Sequence, residues 1–282
     1  MPAEPCRTRS QRRHPTTASP RAVALVLATV LIASCVPTPQ PAKEPASTPA
    51  AGDEGAWPRI VRDQPLPADR PLRAAFLLVD GVYNTELIAP FDVLDHVQYQ
   101  TQPGIEVFTV SHDGGAVTTA EGLVIQADHS FENAPAADIL VVASAMHSRD
   151  TDLEDKALIA WVRDTGSKAR FVVSLCWGAF VLAKAGLLDG YAATTFPGDQ
   201  DALAGQFPAI DVRRGVSFVH DGARITSEGG VRSYQAAMYL VDHLYATAVA
   251  TGIGGGLLID WPPAAGARRP VVIAPAAHAS TH

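Results

Sequence analysis

Cysteine is scarce in this chain: three in 282 residues, at positions 6, 35 and 176, too few for a disulfide framework. No Cys/His grouping has zinc-ligand spacing, and neither a phosphate loop nor a dinucleotide fingerprint is present, so no metal and no organic cofactor are expected. Internal repeats and heptads are missing, which excludes solenoids and coiled coils. An excess of positive charge is missing too. The formal net charge is −7, and nucleic acid is not an expected partner. The apolar run Ala22 to Ala33 covers about a dozen residues, too short to cross a bilayer comfortably.

That run belongs to another pattern. Arg7, Arg9, Arg12, Arg13 and Arg21 precede it, and it ends in Leu31-Ile-Ala-Ser-Cys35. Basic region, apolar run and small-residue cleavage site stand in the order of a secretory signal. The last five residues resemble the lipobox of bacterial lipoproteins, whose cysteine is acylated and becomes the mature N-terminus. Residues 1–35 are therefore expected to be a lipoprotein signal peptide. Cys35 is the expected lipidation site, anchoring the protein to a membrane in the cell envelope, facing the periplasm or the exterior. Such processing leaves 17 basic and 28 acidic residues, a formal charge of −11, and Cys176 as the one free thiol. No intramolecular disulfide is then possible, and an unpaired thiol in an oxidising compartment is a sign of use.

Residues 36–71, rich in Pro and Ala, read as a tether. Residues 251–282 begin Gly-Ile-Gly-Gly-Gly and end in Ala, Pro and His. They are expected to be a partly disordered tail, with Leu257 to Trp261 and Val271 to Ile273 as the parts able to dock.

The folded domain is expected over residues 72–250, where strands and helices alternate. Apolar strands are predicted at Ala74 to Val79, Glu106 to Ser111 and Asp138 to Ala143, with a polar hairpin around Thr118 to Gln126. Helices are predicted at Glu86 to Val97 and Leu153 to Asp164. Arg224 to Ser227 leads through Glu228-Gly-Gly230 into a helix ending near Leu244. The alternation implies an α/β class: a doubly wound, mainly parallel sheet flanked by helices on both faces. Ligands bind such sheets beyond the carboxyl ends of the strands.

Cys176 stands at one of those ends. Phe171 to Ser174 has strand composition, Trp177 to Leu188 has helical spacing, and the cysteine lies at the joint. So abrupt a turn strains the turn residue and lifts its side chain clear of the sheet, while Gly178 leaves room for it. At a helix N-terminus the thiol pKa is expected to fall.

Six separated stretches carry a family likeness: Phe76-Leu-Leu-Val-Asp-Gly81, Glu86-Leu-Ile-Ala-Pro-Phe-Asp-Val-Leu94, Asp138-Ile-Leu-Val-Val142, Leu-Cys176-Trp-Gly-Ala, Ala185 to Thr195 and Thr226-Ser-Glu-Gly-Gly230. Together they resemble the ThiJ/PfpI superfamily. That resemblance implies a class I glutamine amidotransferase-like, flavodoxin-like fold. Its members include isonitrile hydratases, proteases, chaperones, deglycases or glyoxalases, and the sensor halves of transcription regulators; the regulators' helix-turn-helix domain of about a hundred residues is not expected here. Glu86, four residues before Pro90, matches the position whose acid hydrogen-bonds the cysteine; such an acid can share the thiol proton. The alternative for Glu86 is an ordinary first-turn helix acid.

The sequence also departs from the family. Ala143-Ser-Ala-Met-His147 stands where relatives have Pro-Gly-Gly, so the amides of Ser144 and Ala145 are expected to form an oxyanion hole with that of Trp177. Relatives carry His (proteases) or Thr (isonitrile hydratases) at Trp177. The indole supplies no base and favours small or planar ligands, so peptidase activity is not expected. Phe196 stands where relatives often have His. A Cys-His dyad would need His147, or else His112 or His129, each of which also reads as an exposed loop histidine. Asp199 reads either as a pocket residue or as a helix N-cap. The expected function is that of a cysteine-dependent hydratase or hydrolase on a small electrophilic molecule, isonitrile hydratase-like. The alternative is a non-enzymatic ligand-binding or thiol redox-sensing module. The family's frequent homodimer is left open.

Overall fold

Strand β1 (Leu72–Leu77) is apolar on both sides of its backbone, and the computed structural model, which describes residues 65–264 and 267–273, shows why. Alternate side chains of a strand point to opposite faces. Ala74 and Phe76 join one buried layer, Ala75 and Leu77 the other. Only a sheet covered on both sides can bury both sets.

The chain continues through α1 (Asn84–Asp95), β2 (Ile105–Ser111), β3 (Ala116–Thr118), β4 (Val124–Gln126), β5 (His129–Ser130), β6 (Ile139–Val142), α2 (Lys156–Gly166) and β7 (Phe171–Leu175). Then come α3 (Gly178–Lys184), β8 (Ala192–Ala193), α4 (Gln200–Gln206), β9 (Asp211–Val212), β10 (Phe218–Asp221), β11 (Arg224–Ser227), α5 (Ser233–Leu244), α6 (Thr247–Leu257) and β12 (Val271–Ile273). The main sheet has eight strands in the order β12-β10-β11-β7-β6-β1-β2-β5. From β11 to β5 all neighbours are parallel; β10 runs antiparallel to β11, and β12 is parallel to β10. This is the expected doubly wound α/β architecture. β3 and β4 form the expected hairpin.

One apolar layer packs α1, α5 and α6 through residues such as Leu87, Leu94, Met238 and Ile253. The opposite layer packs α2, α3 and α4 through Leu158, Val162, Phe180 and Leu203. Asp155 starts α2 by accepting from the amides of Ala157 and Leu158 at 2.9 and 3.0 Å, which satisfies two donors the helix cannot. Pro90 lies inside α1 and has no N–H for the Glu86 carbonyl four residues back, so the helical ladder is interrupted at Glu86.

Three boundaries differ from the sequence reading. α3 ends at Lys184 rather than Leu188, because Gly186 turns out of the helix with φ +75°. The domain boundary drawn at 250 falls inside α6 (Thr247–Leu257), and the described residues after it pack on the domain. Trp261 is 7% exposed and its Nε1 donates to Asp242 Oδ2 at 2.8 Å, while β12 adds a strand beside β10. Thus both stretches expected to dock do so. The end of the tether is also held: Arg70 makes a two-pronged pair with Asp138 at 2.7 and 2.9 Å, and the Pro65 carbonyl accepts from Arg170 at 2.7 Å. Residues 1–35, with Cys35, and the tether up to residue 64 lie outside the described residues. Among the described residues no helix is long and apolar enough to cross a membrane.

Because Trp261 fills the layer under α5 and α6, Trp261→Ala is expected to lower unfolding free energy by roughly 3–5 kcal/mol. Urea denaturation followed by circular dichroism measures it; a loss under about 1 kcal/mol would mean that the segment is not part of the folded unit.

Candidate active site

The chain reverses direction at Cys176, whose φ of +50° places it in the left-handed region. A side chain there stores roughly 1–3 kcal/mol of strain, and the neighbouring bonds hold it. The Cys176 amide donates to the Ser227 carbonyl at 2.9 Å, and the Thr195 hydroxyl donates to the Cys176 carbonyl at 2.7 Å. Two glycines permit the fit. A Cβ on Gly178 would stand 2.1 Å from the Val142 carbonyl oxygen, and one on Gly229, itself at φ +83°, would stand 2.3 Å from Cys176 Cβ and 2.7 Å from Glu86 Oε1. Gly178 thus lets α3 start against the end of β6, and Gly229 lets the loop after β11 close over the thiol.

Glu86, only 6% exposed, reaches the same spot from α1. Its Oε2 accepts from the Ser144 amide at 3.3 Å and from the Ser144 hydroxyl, and its Oε1 accepts from the Gly230 amide at 2.8 Å. The Cys176 thiol lies beside this carboxyl group, with the Trp177 amide and Ser144 hydroxyl also within reach of the sulfur. Ser144 has one hydroxyl proton, so it serves either the carboxylate or the sulfur at any moment. Here it serves Glu86.

The expected fall in thiol pKa is corrected. Burial, and after it the Glu86 charge, pushes the Cys176 thiol up to about 12; the Ser144 hydroxyl and Trp177 amide oppose this and lose. A helix dipole end is worth about half a charge, and a desolvated sulfur facing a full carboxylate outweighs it.

The two groups open on a cavity of about 470 Å³. Tyr83, Trp177, Phe196, Pro197 and Val231 make it largely apolar and aromatic, and Glu228 and Arg232 also line it. Phe196 and Val231, 46% and 77% exposed, mark its solvent side. Burial also raises the Tyr83 phenol pKa, helped by Cys176 and Glu86.

Of the residues named from sequence, Cys176, Glu86, Ser144, Trp177 and Phe196 come together here. Ala145 and His147 do not line the cavity. The oxyanion hole expected from Ser144 and Ala145 is corrected as well: the first amide is spent on Glu86 and the second on the Ser148 hydroxyl at 2.9 Å. Of the three expected donors, only the Trp177 amide faces the sulfur. The His147 side chain is 54% exposed and pairs with Asp150 at 3.3 Å. His112 stands edge-on to Phe131, and His129 edge-on to Phe108. Among the described residues no histidine lines the cavity, so the Cys-His dyad expected from His147, His112 or His129 is not formed. Among the described residues no group of three or more His, Cys, Asp or Glu could hold a metal.

Asp199 stands at the N-cap position of α4 but does not line the cavity. It makes no side-chain cap on α4 and instead accepts from Trp177 Nε1 at 2.6 Å. Arg149 pairs with the same carboxylate and lies 5.3 Å over the Trp177 ring. The indole is thereby locked as a cavity wall. Arg149, Tyr83 and Gly229 were missed from sequence; the Gly229-Gly230 pair was the available signal, since consecutive glycines mark a backbone that passes close to something.

Fold and site together define an α/β protein with a buried cysteine and a carboxyl group at the carboxyl edge of a parallel sheet. The DJ-1/PfpI family matches residues 72–242, more than half of the chain, and the chain belongs to that family. It is 32% identical to an isonitrile hydratase of Pseudomonas putida over 173 residues, which are 61% of this chain and 72% of that protein. It is 30% identical to the HTH-type transcriptional regulator CdhR of Pseudomonas aeruginosa over 144 residues, 51% of this chain and 42% of the regulator, so it spans less than half of that relative. Among solved structures, a ThiJ/PfpI family protein from Pseudomonas syringae aligns with a TM-score of 0.60 at 25% identity, covering 78% of this chain and 85% of that one.

The raised thiol sets a pH profile. Alkylation of Cys176 by iodoacetamide is expected to keep accelerating above pH 9, the ordinary thiol value, and Glu86→Gln, which removes the adjacent charge, is expected to shift the profile to lower pH. A plateau below pH 9, unmoved by the substitution, would contradict the buried thiol–carboxyl pair.

Proposed function

We propose that the cavity houses a cysteine-dependent hydratase or hydrolase acting on a small electrophilic molecule, with an isonitrile as the reference substrate. The contact of the Cys176 thiol with the Glu86 carboxyl group inside a small apolar cavity carries this reading. Similarity to an isonitrile hydratase supports the choice of substrate.

The chemistry follows from the protonation just described. A thiol with a pKa of about 12 is not a standing thiolate, so its proton must leave as the sulfur bonds to carbon. Glu86 is placed to accept it and return it to the isonitrile carbon, giving a thioimidate, R–N=CH–S–Cys176. Water then adds to that carbon and the sulfur departs with a proton, leaving R–NH–CHO and the thiol restored. As Glu86 takes the proton, the Ser144 hydroxyl is free to turn to the sulfur, and the Trp177 amide already faces it. The aromatic walls admit a small or planar R group.

A second reading, a ligand-binding module without turnover, draws support from the regulator CdhR, which shares this region. Thiol redox sensing is the weaker form of it, since oxidation proceeds through the thiolate, which a pKa of about 12 keeps scarce. We also propose export as a lipoprotein acylated at Cys35, on the order of basic, apolar and small residues before it; Cys35→Ala should move the protein from the membrane to the soluble fraction.

Cys176→Ala is expected to abolish hydration of a small alkyl isonitrile, by at least about a thousandfold, while leaving the circular dichroism spectrum intact. Glu86→Gln should lower kcat about 10²–10⁴-fold. Formamide production by the alanine variant at the parent's rate would overturn the enzyme reading, and saturable binding of the isonitrile with no formamide formed would favour the second one.

A further inference from the structure

One buried carboxylate beside the Cys176 cavity carries two guanidinium groups. Glu228, 4% exposed, pairs through Oε1 with Arg232 Nε at 2.6 Å and through Oε2 with Arg268 Nη1 at 2.5 Å. Glu228 and Arg232 line the cavity. Arg268 comes from beyond the family-matched residues 72–242, on a segment seated by the Ser217 amide, which donates to the Arg269 carbonyl at 3.2 Å, and by β12.

The charges around the cavity do not cancel in this corner. The Glu86 carboxylate accepts only from the neutral donors of Ser144 and Gly230 and keeps its charge beside the thiol, while Arg149 is met by Asp199 on the far side of the Trp177 ring. The Glu228 cluster holds two positive charges against one negative. Arg268 answers Glu228, so the positive charge of Arg232, on a side chain 37% exposed, is not neutralised by its own ion pair. A guanidinium at the edge of an apolar, poorly screened cavity favours a planar anion.

Resting on the reading of this cavity as a substrate site, we propose that Arg232 is a specificity-determining residue that selects small electrophiles bearing a carboxylate-type anionic group. Arg268 is its positioning residue: it holds Glu228, so that Glu228 orients Arg232 without cancelling it. The segment beyond the family-matched region thus completes the recognition edge of the cavity.

A matched pair of thiol reagents tests this without any turnover. Iodoacetate and iodoacetamide place the same reactive carbon at Cys176 and differ in carrying a carboxylate or an amide. Alkylation of the full chain is followed by mass spectrometry of the Cys176 peptide, and the ratio of the iodoacetate to the iodoacetamide rate is the readout. Arg232→Gln is expected to lower that ratio about tenfold, the scale of one charge-assisted contact, and Arg232→Lys to keep most of it. Arg268→Gln is expected to lower it severalfold, and added salt to lower it in the parent more than in Arg232→Gln. An unchanged ratio in Arg232→Gln would make the cluster a structural ion pair and overturn the proposal. Should that variant fail to fold, the ratio in Arg268→Gln decides in the same way. Absence of isonitrile turnover by the parent, with the ratio shift in Arg232→Gln intact, would defeat the hydratase reading alone, so the two failures are distinguishable.

Discussion

Between Val142 and residue 178 there is no room for one more carbon atom, and the site depends on that closeness. With glycine at 178, the first turn of α3 lies against the end of β6, and Cys176 must bridge from β7 in a left-handed conformation. The same approach brings Ser144, two residues after Val142, within reach of both the thiol and Glu86. Strand order does the rest: β6, β7 and β11 are adjacent and parallel, so Ser144, Cys176 and Gly229 all lie just past carboxyl ends on one edge. Residues remote in sequence thus meet because three strands stop together.

The thiol shows how two legitimate physical arguments compete. A helix N-terminus favours an anion, but α3 has only seven residues, and the sulfur is enclosed beside a carboxylate. Desolvation and like charge win, and the group is held as a thiol beside a carboxyl group. Chemistry here therefore relies on transferring a proton between close partners, not on a stored anion.

Most of the framework was legible in the chain. Runs such as Phe171 to Leu175 are apolar on both faces, which only a sheet covered on both sides explains, and the strand-Cys-x-Gly-helix pattern placed the nucleophile candidate. The pairing with Glu86 was legible only through family resemblance, since nothing local to Glu86 points across the sheet edge to a residue ninety positions away. The oxyanion hole failed for a specific reason: whether an amide is free depends on side chains such as the Ser148 hydroxyl, which a backbone pattern does not reveal. Asp199 failed likewise, because a capping residue type and an indole acceptor look the same in sequence. The glycine-rich composition of residues 251–256 suggested looseness, yet α6 forms there because Ala250, Ile253 and Gly254 are buried against the core; tertiary burial overrides weak helix propensity.

The position of β12 gives synthesis an order. During translation Glu86, Ser144, Cys176 and Gly229 all leave the ribosome well before residue 268, so the reactive pair can close while Glu228 still has Arg232 as its only guanidinium. The later arrival of the last strand adds Arg268 and covers the outer edge of β10, which would otherwise offer unpaired amides to a neighbouring nascent chain. Polypeptides interrupted between α6 and β12 would thus keep the nucleophile but carry a bare sheet edge and a charge-neutral cavity corner, which makes them a distinct species and not simply a shorter version of the protein.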